Sequence, residues 1–404
     1  MNTLSTVALE LAFASEYDLA WGDWGSKANS NFSSWRPRVP NGFSKLGDYA
    51  KKEYGAPETA MIVVKANQAN ALAHPVDYKL IWGDWGSGAK GDGSFWEPVP
   101  PNGYKALGLV VGNGHSKPPL NSVVCVRNDL VVRATVGDLI WGDWGSGAKG
   151  NVTLYQTSAL TAPADSKLAY ITPGSFCGHN SYNSLASSTV AYALAVELPT
   201  EVKIHSSDDL DKKLPFPVLT GVREPADTAM VLESVTYLPC TMVKDPAYKT
   251  DVKRQVAETP FYRLEKHTFY KRHTFHTNSE GVQGEMSFAY THGMSKADTE
   301  EITNTIGVAL TAGYGGGNAP GPSVSMTVSY SFSLTQSTTT TVSVETTDTV
   351  KYHVPKNGAV AVYTRSYRYR LMRADGSEVR SWVASSKGSH FASYPPQKGD
   401  GIKA

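Results

Sequence analysis

From residue 302 to residue 314 the chain alternates with a period of two. The even positions Ile302, Ile306, Val308, Leu310, Ala312 and Tyr314 are apolar, Asn304 is the one interruption, and the odd positions are Thr, Gly or Ala. After a Gly- and Pro-rich turn at 315–322 the alternation resumes. Val324, Met326, Val328, Tyr330, Phe332 and Leu334 then form one row, and Ser or Thr forms the other. Period two is the mark of a strand with two unlike faces, so 302–334 is predicted to be a β-hairpin. No charged residue occurs from 302 to 344, although 19% of the chain is charged. A hairpin in a water-facing sandwich normally carries Lys or Glu to protect its edges. An uncharged polar row opposite an apolar row suits a strand with water on one side and lipid on the other. Residues 302–314 at about 3.3 Å each span roughly 43 Å, and at a tilt near 45° they cover the roughly 30 Å of hydrocarbon in a bilayer. One hairpin cannot close a barrel, and lipid tolerates no open sheet edge. Several chains would each have to contribute one, which makes the target membrane and a homo-oligomer the expected partners.

The first half is patterned by repetition. The hexapeptide Trp-Gly-Asp-Trp-Gly-Ser occurs at Trp21–Ser26, Trp82–Ser87 and Trp141–Ser146. A second block, Trp35-Arg-Pro37 with Pro40-Asn-Gly-Phe43, returns as Trp96-Glu-Pro98 with Pro101-Asn-Gly-Tyr104, and the third copy keeps only Tyr155 and Pro163 of it. Each unit closes with an apolar run: 61–64, 123–126 and the looser 190–198. Three units rich in Gly, Pro and Asn-Gly turns predict a closed threefold β-structure, best matched by a β-prism with one sheet per repeat. Two readings of the motif stand side by side. In the structural one, the first Trp fills the core, Gly permits a tight turn and Asp bonds its own backbone. In the functional one, Trp21, Asp23, Trp24, Trp82, Asp84, Trp85, Trp141, Asp143 and Trp144 form a repeated receptor site, in which Trp faces stack on sugar rings and Asp accepts their hydroxyls. No metal is assigned, because one carboxylate per loop is too few for calcium.

Trp21, Asp23, Gly25, Ser26 and Trp35-Arg-Pro37, with their second-copy equivalents, resemble the Vps62-related family over about 15–200, and the resemblance implies a fold unit more than an activity. The second half is similar to the aerolysin-like (epsilon-toxin/Mtx2-type) β-pore-forming family over about 210–395. That likeness rests on Thr291-His-Gly-Met-Ser295 before the amphipathic hairpin, the Ser/Thr tract at 337–341, and Val354-Pro-Lys-Asn-Gly358 leading into a strand. It implies an elongated monomer that binds a cell-surface receptor, assembles into a ring and threads its hairpins into one barrel. By analogy with leaderless members of that family, an insect target is expected.

Composition narrows the function classes. The formal net charge is +1, so there is no broad basic field for nucleic acid. Three separated cysteines exclude a disulfide scaffold and a Cys-rich zinc site. The first residues lack a basic segment and Glu10 interrupts their apolar part, so a cleavable signal peptide is not expected, and the protein would act outside the producing cell. No Gly-x-Ser-x-Gly, His-Glu-x-x-His or phosphate-binding loop occurs. The aspartates of the repeats are single rather than paired, which argues against glycoside chemistry. No enzyme activity and no cofactor are expected. His273 and His276, three apart in a strand, are expected on opposite faces as ordinary packing, with a pH sensor as the rival. The chain therefore reads as a mainly β protein. A threefold receptor module spans 1–205, and an elongated aerolysin-like pore module spans 206–404 with its insertion hairpin at 302–334. The alternative is a lectin-like binding protein that makes no pores.

Overall fold

The computed structural model describes residues 3–403 apart from 160–167, 183–190, 205, 250, 307–310, 315–323, 328–341, 344–345 and 399. Each repeat forms an antiparallel sheet around the hairpin that carries the motif, three-stranded in the first two repeats and five-stranded in the third. The first is Tyr17–Gly22, Phe32–Pro37 and Tyr49–Lys52, and the second is Asp77–Gly83, Gly93–Val99 and Val110–Asn113. The third is built on Val131–Gly142, Thr153–Ser158 and Phe176–His179. All three hairpins slip register at the same place, between Leu19 and Trp21, Leu80 and Trp82, and Leu139 and Trp141. The bulge changes the phase of the strand. Leu19, Leu80 and Leu139 are left exposed while Trp21, Trp82 and Trp141 turn inward, at 5, 3 and 1% exposure.

The expectation of one sheet per repeat is corrected. The closing apolar runs of the first two repeats build further sheets: Met61–Ala66 pairs with Leu9–Ala14, and Cys125–Arg127 pairs with Leu72–Ala73 and Tyr104–Lys105. Ala191–Glu197 pairs with Leu168–Ile171 and with the start of Val131–Gly142. Met61, Ile62, Val63 and Val64 are all buried. A strand apolar on both faces needs a layer on each side, so it cannot remain the outer strand of a single sheet.

The second half is organised on one long antiparallel pair, Phe261–Asn278 with Gly358–Met372. Val231–Pro239 extends this sheet on one side and carries Thr200–Val202 at its edge; Glu378–Ser385 and Ser389–Tyr394 join on the other. Its core is continuous with that of the repeats. Leu9 and Phe13 share a cluster with Leu238, Phe261 and Trp382, and the Phe13 and Phe261 rings lie 5.2 Å apart. A separate ribbon, Gly284–His292 with Thr346–Val354, packs on the long pair. His273 and His276 both meet this ribbon, His273 beside Tyr290 at 5.9 Å and His276 beside Tyr352 at 6.1 Å. A register shift between Arg272 and Thr274 breaks the alternation, which corrects the expectation of opposite faces.

The expected strand beginning at residue 302 is likewise corrected. Lys296–Ile306 is an α-helix. The Asp298 N–H donates to Ser295 Oγ at 3.0 Å, a cap at the helix start. Ile302 and Ile306, four apart, share one helix face and are buried at 0 and 2% in the main core with Met294 and Trp382. Glu301 fastens the helix to Glu378–Ser385: its Oε2 accepts from Trp382 Nε1 at 3.0 Å, and its Oε1 lies 3.0 Å from Arg380 Nε. Because Asn304 interrupts the apolar row, 302–306 reads equally as period two or as i, i+4. The capped, acidic first turn favours the helix. Of the hairpin residues, Tyr314 lies in the strand Thr311–Tyr314, and Val324 and Met326 lie in Val324–Thr327. Val308, Leu310, Val328, Tyr330, Phe332 and Leu334 lie outside the described residues.

Candidate functional site

The three motif loops are wired alike. Asp23, Asp84 and Asp143 are buried, and Oδ1 of each accepts a backbone N–H nine residues on, from Phe32 (2.9 Å), Gly93 (3.0 Å) and Val152 (2.8 Å). The backbone carbonyl of each accepts from the Ser three residues on, and the Gly between them has φ of +88, +86 and +83°. Only glycine takes that conformation at no steric cost. The loops also bond round the ring. Nε1 of Trp21, Trp82 and Trp141 donates to the carbonyls of Gly91, Gly150 and Ser30, each at 2.8 Å. The Lys90, Lys149 and Asn29 N–H groups donate to the carbonyls of Trp24, Trp85 and Trp144. The three inner Trp rings meet with centroids 5.7, 5.8 and 6.2 Å apart.

This arrangement corrects part of the receptor assignment. Trp21, Trp82 and Trp141 have no free face for a sugar, and the carboxylates of Asp23, Asp84 and Asp143 are turned into the fold to close their loops. The outer tryptophans differ. Trp24 and Trp144 are half-buried and Trp85 is exposed. Each leans on the first Gly of its motif, where an added Cβ would come within 2.0–2.3 Å of the indole. Each also stacks on a second ring: Trp24 on Tyr54 (4.6 Å), Trp85 on His115 (4.1 Å) and Trp144 on Tyr182 (5.1 Å). The stacked ring reaches back to the motif aspartate. Burial and a hydrogen bond to Asp23 push Tyr54 up to about 12, and burial and Asp143 raise Tyr182 in the same way. His115 Nε2 lies 2.6 Å from Asp84 Oδ1. The surface on offer is thus three two-ring stacks backed by a carboxylate. Tyr54, His115 and Tyr182 are absent from the sequence reading. They follow the outer Trp by 30, 30 and 38 residues, and neither ring type nor spacing is constant.

The chain matches the family of vacuolar protein sorting-associated protein 62 over residues 2–205. The chain belongs to the Vps62 family. No curated protein matches it. Among solved structures, GNIP1Aa from Chromobacterium piscinae is 27% identical with a TM-score of 0.38, over 44% of this chain and 34% of its own. Cry35Ab1 is 14% identical with a TM-score of 0.37, over 97% of this chain and 91% of its own. Both likenesses are distant, and the chain spans about a third of the length of GNIP1Aa.

Beyond the Vps62 region, the ribbon and the hairpin have one geometry in common. The ribbon pairs Gly284 with Val354 through His292 with Thr346. The short strands pair Thr311 with Thr327 through Tyr314 with Val324. These two sets share a single register, since the segments between them, 293–310 and 328–345, are each 18 residues long. The pairing sets apolar positions opposite apolar positions, Ala312 opposite Met326 and Tyr314 opposite Val324. In this conformation Val324–Thr327 also pairs with Val342–Ser343, and Lys296–Ile306 is a docked helix. Among the described residues no helix is long and apolar enough to cross a membrane.

Proposed function

We propose that the protein is a β-pore-forming toxin. Its repeat half, a prism-like threefold module, binds a receptor on the target cell. Its second half then assembles into a ring and inserts one hairpin per chain. The shared register of ribbon and hairpin supports this reading most directly. Helix Lys296–Ile306 unwinds, the pairing of Val324–Thr327 with Val342–Ser343 is exchanged, and 293–310 zips onto 328–345 without a bulge. The inserted hairpin then runs from 284–314 to 324–354. Carried through, the register sets Ile306 opposite Phe332, Val308 opposite Tyr330 and Leu310 opposite Val328, so from 302 to 334 the apolar row keeps to one face with Asn304 its one interruption. Between 302 and 334 the other face of the two strands holds only Thr, Ser, Gly and Ala, as a water-lined lumen tolerates; the charged Glu285, Glu301, Glu345 and Lys351 on that face lie beyond this stretch. An extended apolar face is stable only in lipid and an unpaired edge only in a closed barrel, so receptor binding and assembly must precede insertion.

Receptor binding falls to the outer stacks, Trp24 with Tyr54, Trp85 with His115 and Trp144 with Tyr182. Ring edges and hydroxyls beside a carboxylate suit a polyhydroxylated ligand such as a glycan. Three equivalent weak sites on a rigid module raise the effective concentration for a multivalent surface. The activity needs no catalytic residue, and an insect target is part of the proposal. The test is conductance in planar bilayers with and without membrane extract from target cells. Stepwise, receptor-dependent currents support the toxin. Saturable binding to the extract without current favours the non-lytic lectin.

A further inference from the structure

The second repeat departs from its sisters at two positions that meet in space. Eight residues after the motif aspartate the first and third repeats carry Asn31 and Asn151, and the second carries Asp92. Where Tyr54 and Tyr182 stack on the outer Trp, the second repeat places His115. Both exchanges put a metal ligand where the sister repeats have a weak ligand or none. Ligand atoms of Asp84, Asp92 and His115 all lie within 4.8 Å of one another. We propose that Asp84, Asp92 and His115 bind one divalent transition-metal ion of the Zn2+ class, at a site the first and third repeats lack.

One imidazole and two carboxylates form a donor set that suits Zn2+. Calcium prefers six to eight oxygens and is disfavoured there. Bonds of about 2.0–2.1 Å in a tetrahedral shell place ligand atoms about 3.3 Å apart. The His115–Asp84 contact, now 2.6 Å, must therefore open slightly while Asp92 swings in. Asp92 is exposed and His115 is partly so, which leaves both free to adjust and keeps a coordination position open to water. Asp84 is the fixed member, held by the Gly93 N–H on Oδ1 and Ser87 Oγ on Oδ2 at 3.3 Å. Such anchoring of a ligand by an outer hydrogen bond raises affinity. The ion would tie together the motif turn, the start of Gly93–Val99 and the loop after Val110–Asn113.

The repeats supply the controls for the test. Calorimetric titration of the full, chelator-treated chain with Zn2+ is expected to show one ion per chain. Combining Asp92→Asn with His115→Tyr gives the second repeat its sisters' residues, and it is expected to weaken binding by about a hundredfold or more with the melting temperature little changed. Binding equal to that of the unaltered chain, or no Zn2+ binding by the unaltered chain, overturns the site. If that variant fails to fold, Asn31→Asp with Tyr54→His in the first repeat decides. Two ions per chain support the site, and one overturns it.

Discussion

In the repeat half the same atoms find the same partners three times, while in the second half one segment has a single set of partners and flanking strands whose register would accept it in another. Each motif aspartate, inner Trp Nε1 and turn glycine has one role in one conformation, and the loops bond in a closed cycle from repeat to repeat. Residues 296–306 instead form a helix held by Ile302, Ile306 and Glu301, yet they sit between ribbons whose register would accept them as strand. Shared wiring in triplicate makes a rigid module. A segment whose local pattern permits both i, i+4 and period two is suited to conversion. The contrast also explains why changes of equal chemistry should act differently in the two halves.

The largest effect is expected from Val328→Lys, which puts a charge on the lipid face at a cost of about 2–4 kcal/mol per chain, repeated around the ring. It should abolish conductance while leaving the soluble fold intact. Ser329→Lys, on the lumen face, should still conduct, with selectivity moved toward anions. Equal behaviour of the two variants in planar bilayers would remove the assignment of faces. Next in size, Trp141→Ala empties the centre of the repeat module and should cost about 3–5 kcal/mol in urea unfolding. Ile306→Ala should weaken the docked helix by about 2 kcal/mol or more. If that helix is a latch, the variant permeabilises receptor-bearing vesicles at a lower dose than the unaltered chain, where a merely structural helix would give a higher one.

Smaller effects probe the seam between ribbon and sheet and the outer stacks. Burial, with help from Lys271 and against Asp227, lowers His273 to about 4. Its neutral form is favoured when folded, so the stability it contributes is present above the unfolded value near 6.5 and is lost as pH falls toward 4. His273→Gln should flatten that part of a stability-against-pH curve. Because His273 packs on Tyr290 of the ribbon, mild acid should also speed release. The smallest change in stability, within roughly 0.5 kcal/mol, is expected for Trp85→Ala, which should nonetheless reduce cell binding.

Much of the repeat half was legible because identity of sequence carries identity of structure. The inner Trp as core and the glycine as turn were one of the two readings that the motif allowed, and the burial of Trp21, Trp82 and Trp141 selects it. The bulge before each inner Trp was not legible, since Leu19 and Trp21, two apart, read as one face of a regular strand. Tyr54, His115, Tyr182 and Asp92 were hidden because their role depends on what the fold brings beside the motif aspartate. In the second half the absence of charge singled out the hairpin. Period alone could not decide the state of 302–306, because the cap at Ser295 and the pocket around Trp382 select helix in this conformation. The common register depends on equal spacer lengths, which no local pattern reveals.

Disulfide trapping of the register in the membrane-bound protein tests the proposed conversion most directly. Residues directly opposite in a ladder lie close enough for a disulfide, and those displaced by two do not. If 293–310 zips onto 328–345 in the register of the ribbon, Ile306→Cys cross-links within one chain to Phe332→Cys in preference to Tyr330→Cys or Leu334→Cys. A preference for either displaced partner, or an Ile306→Cys thiol that stays protected and uncross-linked in a conducting pore, would contradict the conversion of this helix into a membrane-spanning hairpin.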